Sequence, residues 1–82
     1  MEELIYKLTR LEYEGDATLP PIGAVRHILE RVKYNVQSKD DAIANIEILL
    51  PEIEELIQLE DTYTKREGKA LILNSLDYLR TL

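Results

Sequence analysis

Apolar residues recur along this chain at spacings of three and four, the period of an amphipathic α-helix. The first such pattern covers residues 2–14, where Leu4, Leu8 and Leu11 share one face. Gly15 and the short polar stretch that follows it are typical of a helix stop and a connection. We therefore expect a first helix over 2–14.

A second helical pattern begins at Pro20-Pro21, since proline at the first helical position loses no hydrogen bond that would otherwise form. Thr18 is available as its cap. The apolar seam after the prolines consists of Ile22, Val25, Leu29, Val32 and Val36. The pattern ends near Gln37, where Ser38, Asp40 or Asp41 can cap the next helix.

The third pattern covers residues 40–61 and keeps its apolar phase throughout. Two rows repeat every seven residues, namely Ala42, Leu49 and Leu56, and Ile43, Leu50 and Ile57. Pro51 lies inside this segment, although an interior proline costs a regular helix about 3 kcal/mol. We expect the helix either to kink at Pro51 or to end there and restart in line.

The fourth pattern covers residues 64–81. Thr64 and Glu67 have the spacing of a capping box, which predicts a helix start at this point. The alternative is that the third helix continues through Tyr63, which extends one of its apolar rows. Beyond Gly68 the segment is apolar on several sides, so it must be surrounded by other helices or by a partner.

No segment alternates with period two, and no short turn joins two β-rich runs. The predicted fold is therefore all-α, a small antiparallel helical bundle of three to four helices with the third kinked or interrupted at Pro51. The length allows a single domain over 1–82.

The composition limits the kinds of functional site that the chain can form. The chain has no cysteine, which excludes disulfides and thiolate sites, and its one histidine, His27, lacks a partner at a catalytic spacing. No phosphate-binding glycine loop, secretory leader or membrane-spanning apolar run is visible. We expect a cytoplasmic protein with no catalytic residues, cofactor or bound metal.

The formal net charge of −6 is concentrated in one segment. Residues 1–39 are balanced, residues 40–61 carry eight acidic groups and no basic one, and residues 62–82 are net positive. Four of the acidic residues are seven apart and form one stripe, namely Asp40, Glu47, Glu54 and Asp61. This acidic stripe, flanked by Glu52 and Glu55, is a solvated face, a surface for a basic partner, or a divalent metal site.

We favour the basic partner, and expect four apolar side chains beside the carboxylates to contribute, namely Ile48, Leu59, Tyr63 and Tyr78. The predicted function is a non-enzymatic interaction module that binds and occludes a macromolecule as a regulator or inhibitor, of the kind that phages and mobile elements carry. Carboxylates that take the place of nucleic-acid phosphates in a partner's binding cleft would suit that role. So small a core also suggests a homodimer. The negative charge argues against direct binding of nucleic acid.

Two alternatives remain open. Glu52-Ile53-Glu54-Glu55 and Asn74-Ser75-Leu76-Asp77 resemble the paired acidic motifs with which all-α nucleotide pyrophosphatases of the MazG and phosphoribosyl-ATP type hold Mg²⁺, although Asn74 replaces a carboxylate. This resemblance implies a magnesium-dependent nucleotide hydrolase using Glu52, Glu55 and Asp77. The other alternative is a structural subunit of a larger assembly.

Overall fold

The computed structural model describes residues 1–14 and 19–82, with the backbone alone for Glu14. Four helices are present in these ranges: α1 (Glu2–Glu14), α2 (Pro20–Lys33), α3 (Lys39–Leu59) and α4 (Tyr63–Arg80). The prediction of a small antiparallel all-α bundle is confirmed. No helix in the described ranges has the length and apolarity needed to cross a bilayer.

The helices form a ring in chain order. α1 packs on α2 and α4, and α3 packs on the same two helices from the other side. Within the described ranges α1 and α3 make no contact, so they lie diagonally opposite each other, whereas α2 and α4 touch across the centre. Each of α1 and α3 therefore keeps one face directed away from the bundle.

The core is aliphatic and draws on all four helices. Fully buried side chains include Leu8 of α1, Leu29 of α2, Ile46 of α3 and Leu76 of α4. Gly68 allows α4 to approach the centre closely, because a Cβ atom there would lie 2.8 Å from Ile22 Cδ1. Most buried residues lie on the predicted apolar stripes, and Leu19, from the predicted connection, is buried with them.

α2 ends earlier than its apolar seam predicts. Its last residue is Lys33, and Asn35 has a φ of 60°, which turns the chain out of the helix. Val36 is consequently 61% exposed, and its predicted place in the core seam is wrong. Leu19 occupies the cap position without a side-chain hydrogen bond, whereas Gly15 and Thr18, the predicted stop and cap, lie outside the described residues.

α3 begins and ends with specific hydrogen bonds. The hydroxyl of Ser38 accepts a bond from the backbone N–H of Asp41, as the sequence suggested. At the other end, Lys65 Nζ donates to the carbonyl oxygens of Leu56 at 3.0 Å and Glu60 at 2.9 Å. A cation at this end suits the carbonyl groups that a helix leaves without partners.

Pro51 lies inside α3, which runs through it with only a minor bend. Of the two forms that the sequence left open, the structure shows the kinked helix, although the kink is minor, and not the restart. α3 and α4 are nevertheless separate helices, since α3 ends at Leu59 and α4 starts at Tyr63.

The cap of α4 is Thr62, whose hydroxyl accepts a bond from the backbone N–H of Lys65. The capping box predicted at Thr64 is therefore wrong by two residues. Both Thr62 and Thr64 are suitable as a helix cap. Which of them caps α4 depends on where the chain leaves α3.

Candidate functional site

The acidic stripe lies at the seam between α3 and α4. Glu47 pairs with Arg80 at 2.9 Å, Glu54 pairs with Lys69 at 3.3 Å, and Asp61 pairs with Arg66. These three carboxylates are about half exposed, with 50%, 52% and 47% of their side-chain surface accessible. Three of the four stripe residues thus compensate the positive charge of α4.

The pairing of Asp61 changes its acidity. Hydrogen bonds from the Arg66 guanidinium, followed by its positive charge, lower the pKa of the Asp61 carboxyl below its usual range. The same contact raises the pKa of Arg66. Asp40, the fourth residue of the stripe, is exposed and forms no ion pair in the described part of the chain.

A second line of residues on α3 faces away from the bundle. We call it the outer ridge, and define it as Asp41, Ile48, Glu52, Glu55 and Leu59. Their spacings of seven, four, three and four place them along one side of a helix. Ile48 is 71% exposed and Leu59 is 82% exposed, so the ridge presents two large apolar side chains to solvent.

The carboxylates of the outer ridge take part in none of the ion pairs between described residues. Asp41, Glu52 and Glu55 are exposed, and none of them forms an ion pair with any residue in 1–14 or 19–82. The ridge therefore holds charge that the bundle itself does not neutralise. It also brings together four of the predicted contact residues, namely Glu52, Glu55, Ile48 and Leu59.

The two predicted tyrosines lie elsewhere. Tyr78 is partly buried and packs against the core. Tyr63 is 80% exposed at the start of α4 and lines a groove between α4 and α1. Neither belongs to the outer ridge.

The groove between α1 and α4 has a volume of about 850 Å³. Leu11 and Leu71 contribute apolar surface, while Tyr6, Lys7, Arg10 and Glu67 are exposed side chains around it. The Arg10 guanidinium lies 5.9 Å from the centre of the Tyr6 ring, within the range of a cation–π contact. This groove lies outside the predicted contact surface, although the spacing of Tyr6, Arg10 and Tyr13 on one side of α1 signals an exposed aromatic face.

A shallower cleft separates α2 from the start of α3. His27, Arg31 and Asp41 line it, and Arg31 Nε donates to the side-chain oxygen of Gln37 at 3.2 Å. Its other polar side chains, among the residues that the structure describes, are Gln37, Ser38 and Asn45. None of these described side chains forms a hydrogen bond with His27 that would position a nucleophile.

The residues of the predicted magnesium alternative do not form a metal cluster. No three Asp, Glu or His side chains in the described ranges lie close enough together to hold a metal ion. Glu54 is paired with Lys69, and Asp77 lies 4.0 Å from Arg80. Glu52 and Glu55 point outward from α3, so the two motifs do not converge.

Comparison with known proteins adds no functional assignment. No protein-family model, curated protein or solved structure matches the chain.

Proposed function

We propose that this protein is a non-enzymatic interaction module that binds and occludes a basic surface on a protein partner, as a regulator or inhibitor. The outer ridge of α3 is the contact surface. The observation that carries the proposal is the combination, on one exposed helix face, of carboxylates without ion pairs and two large apolar side chains.

The charge supports a basic partner. Glu47, Glu54 and Asp61 already face cations of α4, so a partner that binds them must compete with those ion pairs. Glu52 and Glu55 have no such competition within the described residues. Unpaired carboxylates accelerate encounter with a basic surface and disfavour acidic competitors.

The apolar residues support a protein as the partner. Ile48 and Leu59 are eleven residues apart, which corresponds to about 16 Å along a helix. The carboxylates of Glu52 and Glu55 lie between them, so the ridge offers two apolar anchors with charge at the centre. Interfaces commonly gain most of their affinity from a few side chains that become fully buried.

The proposal is tested by affinity capture from the cells that express the protein, using two double variants of equal charge change. E52K/E55K reverses the sign of two charges on the outer ridge. E47K/E54K reverses the sign of two charges at the seam with α4. We expect a partner that wild type and E47K/E54K both retain and that E52K/E55K loses. Thermal melting establishes that both variants are folded.

A third variant separates specific binding from simple charge attraction. I48A/L59A keeps every charge and removes the anchors, and we expect it to weaken capture of the same partner by at least about tenfold. Retention of all partners by E52K/E55K would contradict the proposal. Equal loss in both charge variants would show that net charge, rather than the ridge, governs binding.

A further inference from the structure

We propose that the basic surface covered by the outer ridge is a groove in which the partner protein otherwise holds single-stranded nucleic acid. The proposal rests on the proposed function, since it names the kind of partner that the outer ridge binds. Three properties of α3 support it, namely the density of its charge, its exposed apolar side chains and its shape.

The charge along α3 approaches that of a nucleic-acid strand. The helix carries six carboxylates over a length of about 30 Å, or one per about 5 Å. Each strand of DNA carries one phosphate per about 3.4 Å of helix axis. Four of the six carboxylates form no ion pair with any described residue, namely Asp40, Asp41, Glu52 and Glu55. A groove with cations for the phosphates of one strand therefore also offers cations to α3.

The apolar side chains of the outer ridge favour a groove for single strands. Such grooves combine cations for the phosphates with exposed aromatic side chains on which the bases stack. Proteins that bind a duplex direct most of their hydrogen bonds to phosphate and sugar. Ile48 and Leu59 are 71% and 82% exposed and lie on either side of Glu52 and Glu55. A partner that contacts all four must present apolar surface beside its cations, and a groove for single strands has this composition.

α3 also has the shape of a ligand that fits a groove. Its exposed positions extend from Glu54 on the α4 side to Asn45 on the α2 side, which is about half of its circumference. For a helix about 10–12 Å in diameter, this face has an accessible area of about 600 Å² between Asp41 and Leu59. A groove that encloses it buries about 1,200 Å² in the two proteins together, which is within the range of specific interfaces.

Displacement from immobilised oligonucleotides tests the proposal. An extract of the cells that express the protein is loaded onto oligodeoxythymidylate and onto oligouridylate of about 30 nucleotides, longer than the site of a typical single-strand domain. Wild-type protein is then added at constant salt. We expect it to release at least one bound protein from one of the two strands, because α3 and the strand compete for the same groove.

Two charge variants show whether the outer ridge causes the release. E52K/E55K should require at least about a tenfold higher concentration than wild type, because it places cations against the cations of the groove. E47K/E54K has the same change in charge at the seam with α4 and should release the same protein as wild type does. Thermal melting verifies that both variants are folded.

A third variant tests the apolar part of the contact. I48A/L59A keeps every charge and should also require at least about a tenfold higher concentration, since its side chains no longer reach the surface on which the bases stack. A duplex of the same length is the control ligand. We expect wild type to release no protein from the duplex that it does not also release from a single strand.

Four results would overturn the proposal. They are a wild type that releases nothing from either single strand, equal release by E52K/E55K and E47K/E54K, unchanged release by I48A/L59A, and release from the duplex alone. A partner that affinity capture shows to depend on the outer ridge, but that neither oligonucleotide displaces, would overturn this proposal and leave the proposed function intact. Absence of any ridge-dependent partner in that capture would overturn both.

Discussion

Ile46 and Ile48 stand two residues apart on α3 and have opposite environments. Ile46 is fully buried in the core, whereas Ile48 is 71% exposed on the outer ridge. Two positions along a helix correspond to a rotation of about 200°, which carries a side chain from one side to the other. Isoleucine thus stabilises the core at position 46 and is exposed to a binding partner at position 48.

Substitution of these two isoleucines separates the roles. Ile46→Ala should lower the free energy of unfolding by about 2–5 kcal/mol, because it removes buried methyl groups and leaves a cavity. Ile48→Ala should change it by less than about 0.5 kcal/mol. Urea unfolding measures both, and equal losses would show that Ile48 is buried in solution.

α3 shows how one element accommodates a residue that ordinarily breaks it. Pro51 removes one backbone hydrogen bond, yet the helix continues because the apolar rows on either side of it face the same core. Burial of both halves compensates for the missing bond. Pro51 itself is exposed, so its ring adds little to the packing.

Pro51→Ala should therefore stabilise the protein by about 1 kcal/mol, since the restored N–H can bond within the helix. The gain is reduced by the greater freedom of the unfolded chain. Pro20→Ala is the matched control, because Pro20 is the first residue of α2, where no hydrogen bond is lost. Thermal melting should show a higher midpoint for Pro51→Ala than for wild type. Pro20→Ala should show no such increase.

Across the whole molecule, ion pairs connect neighbouring helices. Lys33 of α2 pairs with Glu2 of α1 at 2.8 Å, and Arg26 pairs with Glu30 at 2.9 Å and with Glu12 of α1 at 3.4 Å. The hydrogen bond from Lys33, followed by its charge, lowers the pKa of Glu2. The contact between α1 and α2 thus sets the acidity of the Glu2 carboxyl.

The lowered pKa values of Glu2 and Asp61 predict a pH dependence. A carboxyl whose folded pKa is depressed contributes stability above its unfolded pKa, and that contribution is lost as the pH falls through the folded value. Glu2→Gln and Asp61→Asn should therefore destabilise modestly at pH 7, with a difference from wild type that disappears in acid.

Glu55→Gln is the control for this experiment, since Glu55 has no ion pair in the described ranges. It should cost no stability at either pH. Chemical unfolding at pH 7 and in acid measures all three variants. A difference from wild type that persists unchanged in acid would contradict the role assigned to the ion pairs.

Most of the fold follows from local pattern. The bounds of α1, the proline start of α2 and the cap at Ser38 depend on residues adjacent in sequence, and a helix forms from contacts three and four residues apart. The errors lie where local signals compete. Val36 continues an apolar row after the helix has ended, and Thr62 and Thr64 are both suitable caps.

The candidate site depends on relations that no single helix contains. The sequence determined that α3 carries the excess negative charge and that Glu52, Glu55, Ile48 and Leu59 lie on its polar side. Only the tertiary structure decided that Glu47, Glu54 and Asp61 meet the cations of α4 and that α1 and α4 leave a groove. Periodicity fixes the direction of a side chain around its own helix, whereas its neighbour is fixed by how the helices are arranged.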